Sequence, residues 1–163
     1  MKTKLISLIF LLTIFAFNVY AQDDAKKNEE LKNKIIQAYD TFNKYEFDKM
    51  DEYIDVNYIE HTPDPGQKQG LEGLKEAFTN MKKGYPDYKL TVNDIIVNGD
   101  KASVLVTFTG TNSGEFMGMK PTGKSVNVQG IDYLYFKNSK ATDHWGFIDV
   151  NKLMQQLGMM PEK

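Results

Sequence analysis

From Leu31 onward the apolar residues fall at helical spacing. Leu31, Ile35, Ala38, Tyr39, Phe42 and Tyr45 share one face, which predicts an amphipathic helix over residues 28–45. Phe47, Met50, Tyr53 and Ile54 predict a second, short helix with Asp48 near its start. The stretch TPDPG at 62–66 cannot continue a helix and predicts a loop. Leu71, Leu74, Phe78 and Met81 predict a third helix, closed by Gly84 and Pro86. After Asp87 the period changes to two. Tyr88, Leu90, Val92 and Ile96 read as one strand face, and Asn98, Gly99 and Asp100 as a tight turn. Ala102, Val104, Val106 and Phe108 form the inner face of the next strand. A loop, GTNSGEFMGMKPTGK, leads to a strand over residues 125–136. Asn138 and Ser139 turn the chain into a last strand over 140–149, and a short helix over 151–157 stops at Gly158. Helices followed by an antiparallel meander make an α+β pattern.

The N-terminus follows a different rule. Lys2 and Lys4 precede an apolar run over residues 5–17. That run fits the roughly 7–15 residues of a secretory signal and falls short of the roughly 20 needed to span a bilayer. Val19, Tyr20 and Ala21 resemble a small-residue cleavage site. Residues 1–21 therefore read as a signal peptide cleaved after Ala21. Residues 22–30, QDDAKKNEE, read as a flexible charged lead-in, and 31–160 as one domain. The expectation is an exported protein, periplasmic or secreted, with no membrane span after cleavage. The chain has no cysteine, so no disulfide framework accompanies that export, and stability must come from core burial.

Charge narrows the partners. The formal net charge is -2, and loss of Lys2 and Lys4 takes it to -4. Every basic residue besides histidine is a lysine, so bidentate arginine clamps are absent. A mildly acidic, arginine-free domain argues against nucleic acid as a partner.

The later strands carry polar groups in apolar rows. Val126, Val128, Gly130, Asp132, Leu134 and Phe136 alternate onto one face, with Asp132 the exception among them. Asp143, Trp145, Phe147 and Asp149 share a face of the last strand; Thr142, His144, Gly146 and Ile148 share the other. A carboxyl among aromatic rings is driven toward neutral pH by desolvation, which suits a general acid or base. Asp149 has a second reading, as a cap on the C-terminal helix. Asp143 reads equally as a solvated edge residue. His61, in YIEHTPDPG, is either a loop histidine bonded to backbone or a pocket-mouth residue that shuttles a proton. His144, opposite Trp145, reads as a packing or interface residue. The two histidines form no H-x-x-x-H or H-E-x-x-H spacing, so no metal site is expected; P-loop, Rossmann and G-x-S-x-G patterns are also missing.

The order of motifs resembles the SnoaL-like polyketide cyclase family, within the NTF2-like superfamily. The matching elements are YIEH (58–61), GLEGLKEAF (70–78), YPDYKLTVNDIIVNGDKASV (85–104), FTGTNSGEFMGMKPTGKSV (108–126), DHW (143–145) with Asp149, and QLG (156–158). The resemblance implies an NTF2-like cone: N-terminal helices packed on a strongly curved antiparallel sheet enclosing a pocket. It implies intramolecular aldol chemistry without metal or organic cofactor, with an aspartate as general acid/base. The W-x-x-x-D position falls on Trp145 and Asp149, and the Y-x-x-H position on Tyr58 and His61. Asn112 and Asp132 stand where many relatives carry histidine. Relatives often dimerise through the open sheet face, so a homodimer is expected.

Two functions follow. In the first, Asp149 and His61 are catalytic, and Tyr58, Trp145, Phe147, Asp132, Asp143 and Phe116 bind a small apolar carbonyl compound for cyclisation or isomerisation. In the second, the same fold is a non-catalytic exported binding or dimerisation module.

Overall fold

The computed structural model describes residues 2–160, with side chains from residue 23 onward; the side chains of the apolar run at 5–17 therefore lie outside the described residues. Helix α1 (Lys2–Asn43) leads through a 3-10 helix (Phe47–Glu52) into strand β1 (Ile54–Glu60). Helix α2 (Gly70–Gly84) follows, then β2 (Lys89–Asn98), β3 (Lys101–Thr111), β4 (Ser125–Lys137) and β5 (Lys140–Ile148). Helix α3 (Val150–Gln156) ends the described fold. Among the described residues no helix is long and apolar enough to cross a membrane.

The lead-in read as flexible is helical and continues α1. Residues 22–30 contain no glycine or proline, and Asp23–Lys27 and Lys26–Glu30 form i,i+4 pairs that support a helix. Leu31, Ile35, Ala38, Tyr39 and Phe42 are all buried, as their spacing predicts. The second helix is a six-residue 3-10 helix that buries Met50 completely.

The five strands form one sheet in the order β1-β5-β4-β3-β2. The β2-β3-β4-β5 meander is antiparallel, as expected. Strand β1 was not foreseen, and it runs parallel to β5, so the sheet is mixed. It buries Ile54, Tyr58 and Glu60 and exposes Val56, Asn57 and Ile59. Its polar Asn57 and Glu60 break up the apolar alternation that marks a strand.

Register shifts interrupt three of the four strand pairings. Extra residues bend a strand and increase its twist, and the sheet curves around the helices. The shift between Val92 and Asp94 reverses the parity of β2. Ile95 is therefore buried, and Ile96, expected inside, is 64% exposed. Helix α1 packs on β2 and α2 on β1, enclosing an apolar core against the inner sheet face.

The β3–β4 loop is pinned to the end of α2. Gly84 lies so close to Phe116 that a Cβ there would sit 2.6 Å from the Phe116 Cβ. Asn112, buried, accepts a bond from the Thr122 amide and donates one to the Gly114 carbonyl. Asn112 is thus the knot of this loop.

Candidate functional site

The inner sheet face and the helices leave a cavity of about 340 Å³. Phe42, Phe78, Leu90, Phe108 and Phe116 line much of it. Its polar wall comes from strands that meet in register. Glu60 of β1 pairs with His144 of β5. Asp132 of β4 pairs with Gly146, two residues further along β5, and so lies diagonal to His144 on the same face. A Cβ on Gly146 would sit 2.9 Å from the His144 Cε1, so glycine leaves the room that the histidine ring takes.

His144 is clamped between two carboxylates. Its Nδ1 lies 2.6 Å from Glu60 Oε2 and its Nε2 lies 3.2 Å from Asp132 Oδ1. Both acceptors are carboxylate oxygens, so both ring nitrogens carry protons and the ring is a cation. Burial alone would lower the His144 pKa, but the hydrogen bonds and charges of Asp132 and Glu60 outweigh it and push the value up to about 9. Burial likewise opposes ionisation of Glu60, yet His144 and the backbone and hydroxyl of Thr62 hold it below the usual carboxylate range. Tyr58 donates to Glu60 Oε2 at 3.0 Å, and the Tyr39 hydroxyl donates to Asp132 Oδ2. Burial first, then the adjacent carboxylates, push both phenols well up, so both remain donors. The result is an anion–cation–anion row with phenol hydroxyls at both ends.

Of the residues expected at the site, the structure brings Tyr58, Asp132 and Phe116 to the cavity wall. Phe147 lies at its rim and is 61% exposed. Asp149 does not enter it. Its carboxylate is exposed and caps α3, with Oδ1 accepting from the Lys152 amide at 3.0 Å. His61, Asp143 and Trp145 meet on the outer face instead. His61 Nε2 lies 2.8 Å from Asp143 Oδ1, and its ring stacks on Trp145 at a centroid distance of 3.9 Å. The His61 hydrogen bond comes first in holding the Asp143 carboxyl below its ordinary pKa. Tyr133 and Tyr135 pack against the same indole.

Glu60, His144 and Tyr39 belong to the site and were missed. Tyr39 reads in the sequence as one more core residue of α1. Glu60 sits two positions from Tyr58, which is a strand signal once β1 is recognised. His144 shares a face with Gly146 and Ile148, and that face lines the cavity.

The comparisons agree with this fold. TsrD from Streptomyces laurentii is 26% identical, with a TM-score of 0.71 over 81% of this chain and 95% of that one. A candidate polyketide cyclase from Bacillus cereus is 30% identical, with a TM-score of 0.69 over 81% and 83% of the two chains. AclR, a candidate hydroxylase from Streptomyces galilaeus, shares the fold at 24% identity, with a TM-score of 0.72 over 83% and 89%. A search of curated protein sequences found no match. The family described as SnoaL-like polyketide cyclase matches residues 33–157, and the chain belongs to that family.

Proposed function

We propose that this protein binds a small, largely apolar carbonyl compound in the cavity and transfers a proton on it, as a cyclase or isomerase. The observation that carries this reading is the His144 cation held between Glu60 and Asp132 at the wall of an apolar pocket. Asp132 is assigned as the acid/base. Its side chain is 22% exposed against 6% for Glu60, so of the two carboxylates on this wall it is the more accessible. It takes the proton alpha to the carbonyl, and the electron pair moves to the carbonyl oxygen. The enolate carbon then attacks a second carbonyl or is reprotonated, and Asp132 returns the proton. As Asp132 takes up the proton it gives up its bonds from the Tyr39 hydroxyl and His144 Nε2, and these donors then turn to the enolate oxygen, the larger electrostatic part of such catalysis. Proton transfer by a positioned side chain contributes about 10²–10⁴-fold.

The test needs no knowledge of the natural substrate. The protein is incubated in D₂O with a panel of apolar β-diketones, and alpha-proton exchange is followed by NMR. Exchange above the buffer rate, lost in a folded Asp132→Asn variant, is the expected outcome. Exchange that survives Asp132→Asn removes the assignment.

A second reading, binding without turnover, has its own support. Among the described residues every buried side-chain polar atom already has a partner, as in a purely structural network. Absence of exchange with retained ligand binding favours it. Export belongs to the proposal in either case and rests on the apolar run at 5–17 and the small-residue site that ends at Ala21. A mature N-terminus at Gln22, outside the cytoplasm, is the expected finding.

A further inference from the structure

A second recess of about 440 Å³ adjoins the cavity, and Asp64, Gln67, Ala77 and Phe116 line both. We infer that the two together hold one amphiphilic ligand. Its apolar, carbonyl-bearing body occupies the cavity, and a neutral, hydroxyl-rich tail lies in the recess. The inference rests on the carbonyl reading of the cavity and adds the other half of the substrate.

The recess lies between the loop before α2, the exposed side of α2 and the tip of the β3–β4 loop. Each wall is fixed by its own bonds. On one side the Gln67 side chain accepts from the Asp64 amide at 3.0 Å, and the Gln67 amide donates to the Asp64 carbonyl at 2.9 Å. On the other side Phe116 and Met119 exchange backbone bonds, and Asn112 ties the loop base. Neither wall depends on closing against the other, so the gap is part of the fold. Asp64, Gln67, Ala77 and Phe116 make up the wall that the recess shares with the cavity.

The chemistry of the recess selects the tail. Asp64, Glu76 and Glu115 face Lys68 and Lys83, an excess of one acid. Lys68 is already paired with Glu76 at 2.9 Å, and Lys83 donates to the Asn80 side chain at 3.3 Å. A phosphate or carboxylate tail meets net negative charge and no free arginine clamp. A polyol tail can donate to Asp64 and Glu115 and accept from Asn80 and Lys83.

Displacement of Nile red by n-octyl β-D-glucoside, 1-octanol and n-octyl phosphate, all below their micellar concentrations, tests this. A few net hydrogen bonds to the tail are expected to favour the glucoside over octanol by about tenfold. Octyl phosphate is expected to bind more weakly than the glucoside. Asn80→Phe, at an exposed position on the recess wall, is expected to bring the glucoside down to the affinity of octanol. The inference is overturned if the glucoside has no advantage over octanol or if the phosphate equals it. It is also overturned if the preference survives Asn80→Phe or if none of the three displaces the dye. Proton exchange on tail-less diketones is a separate readout, so failure of the catalytic assignment is told apart from failure of the tail site.

Discussion

His144 shows how a single side chain acquires its character from three strands. An imidazole in an apolar pocket would ordinarily lose its proton, and here two carboxylates reverse that. The folded pKa of about 9 exceeds the unfolded value of about 6.5, so the associated stability is fully present below about pH 6.5. It is lost as pH rises through about 9, and amounts to something on the order of 3 kcal/mol. Glu60 works in the opposite sense: its folded pKa is depressed, so its share is present above roughly pH 4.3 and lost as pH falls through the folded value. Urea midpoints are therefore expected to be flat between about pH 5 and 6.5 and to fall toward pH 10. In Asp132→Asn, NMR titration of His144 should give a lower pKa. A midpoint unchanged from pH 6 to 10 would contradict the ion-pair assignment. The sequence reading counted Asp132 among the ligand-binding residues, put Trp145 in the pocket wall and left His144 as a packing or interface residue. A regular hairpin turning at Asn138 and Ser139 does pair Asp132 with Trp145. The structure departs from that register between Tyr135 and Phe136, where Thr142 is the extra residue. Asp132 then faces Gly146, and every later side chain of β5 changes sides.

At the scale of elements, helix periodicity was the most legible signal. The α1 positions read as one face are all in the core, while Tyr45, read as the last of them, lies past the end of α1 and is half-buried; α2 closes at Gly84 as expected. Strand parity was legible only where no bulge intervened, as in β3, whose Ala102, Val104 and Val106 are all buried. Strand β1 escaped because it is short, mixed in polarity and parallel to its neighbour, so no hairpin turn announces it. The β3–β4 loop is a further case where contact, not pattern, decides. Its Phe116 reaches the cavity because Gly84 lets it approach. Gly84→Ala forces a Cβ into Phe116 and is expected to cost about 1–3 kcal/mol of stability, as overpacking does. Thermal melting checks the size of the effect. Loss of Nile red binding in the same variant would show that the ring has left the cavity wall. A variant as stable as the parent would mean that the loop yields freely.

At the scale of the whole molecule, the outer sheet face is uncovered among the described residues. Ile59, Ile131 and Tyr133 are 46%, 47% and 36% exposed, and they adjoin Trp145 and Tyr135 on the same side of β1, β5 and β4. This is why the aromatic row of β5 misled the reading of its direction. Burial on the inside and contact on the outside favour the same residue types, so hydrophobicity alone does not separate them. A contiguous aromatic patch of this kind fits an isologous contact with a second copy, in which the same surface of each chain meets its two-fold mate. We expect the protein to sediment as a dimer. Ile131→Lys puts a charge at the centre of the face, and two-fold symmetry brings its partner's charge close to it. That substitution should shift the sedimenting mass to one chain. Nile red binding should persist, because Ile131 alternates away from the cavity-lining Gly130 and Asp132. A parent protein that sediments as a monomer would remove the second copy as the occupant of this face. A dimer that survives Ile131→Lys would place the contact on another surface. Either result leaves the cavity chemistry to be judged on Asp132 and His144, which lie on the opposite side of the same strands.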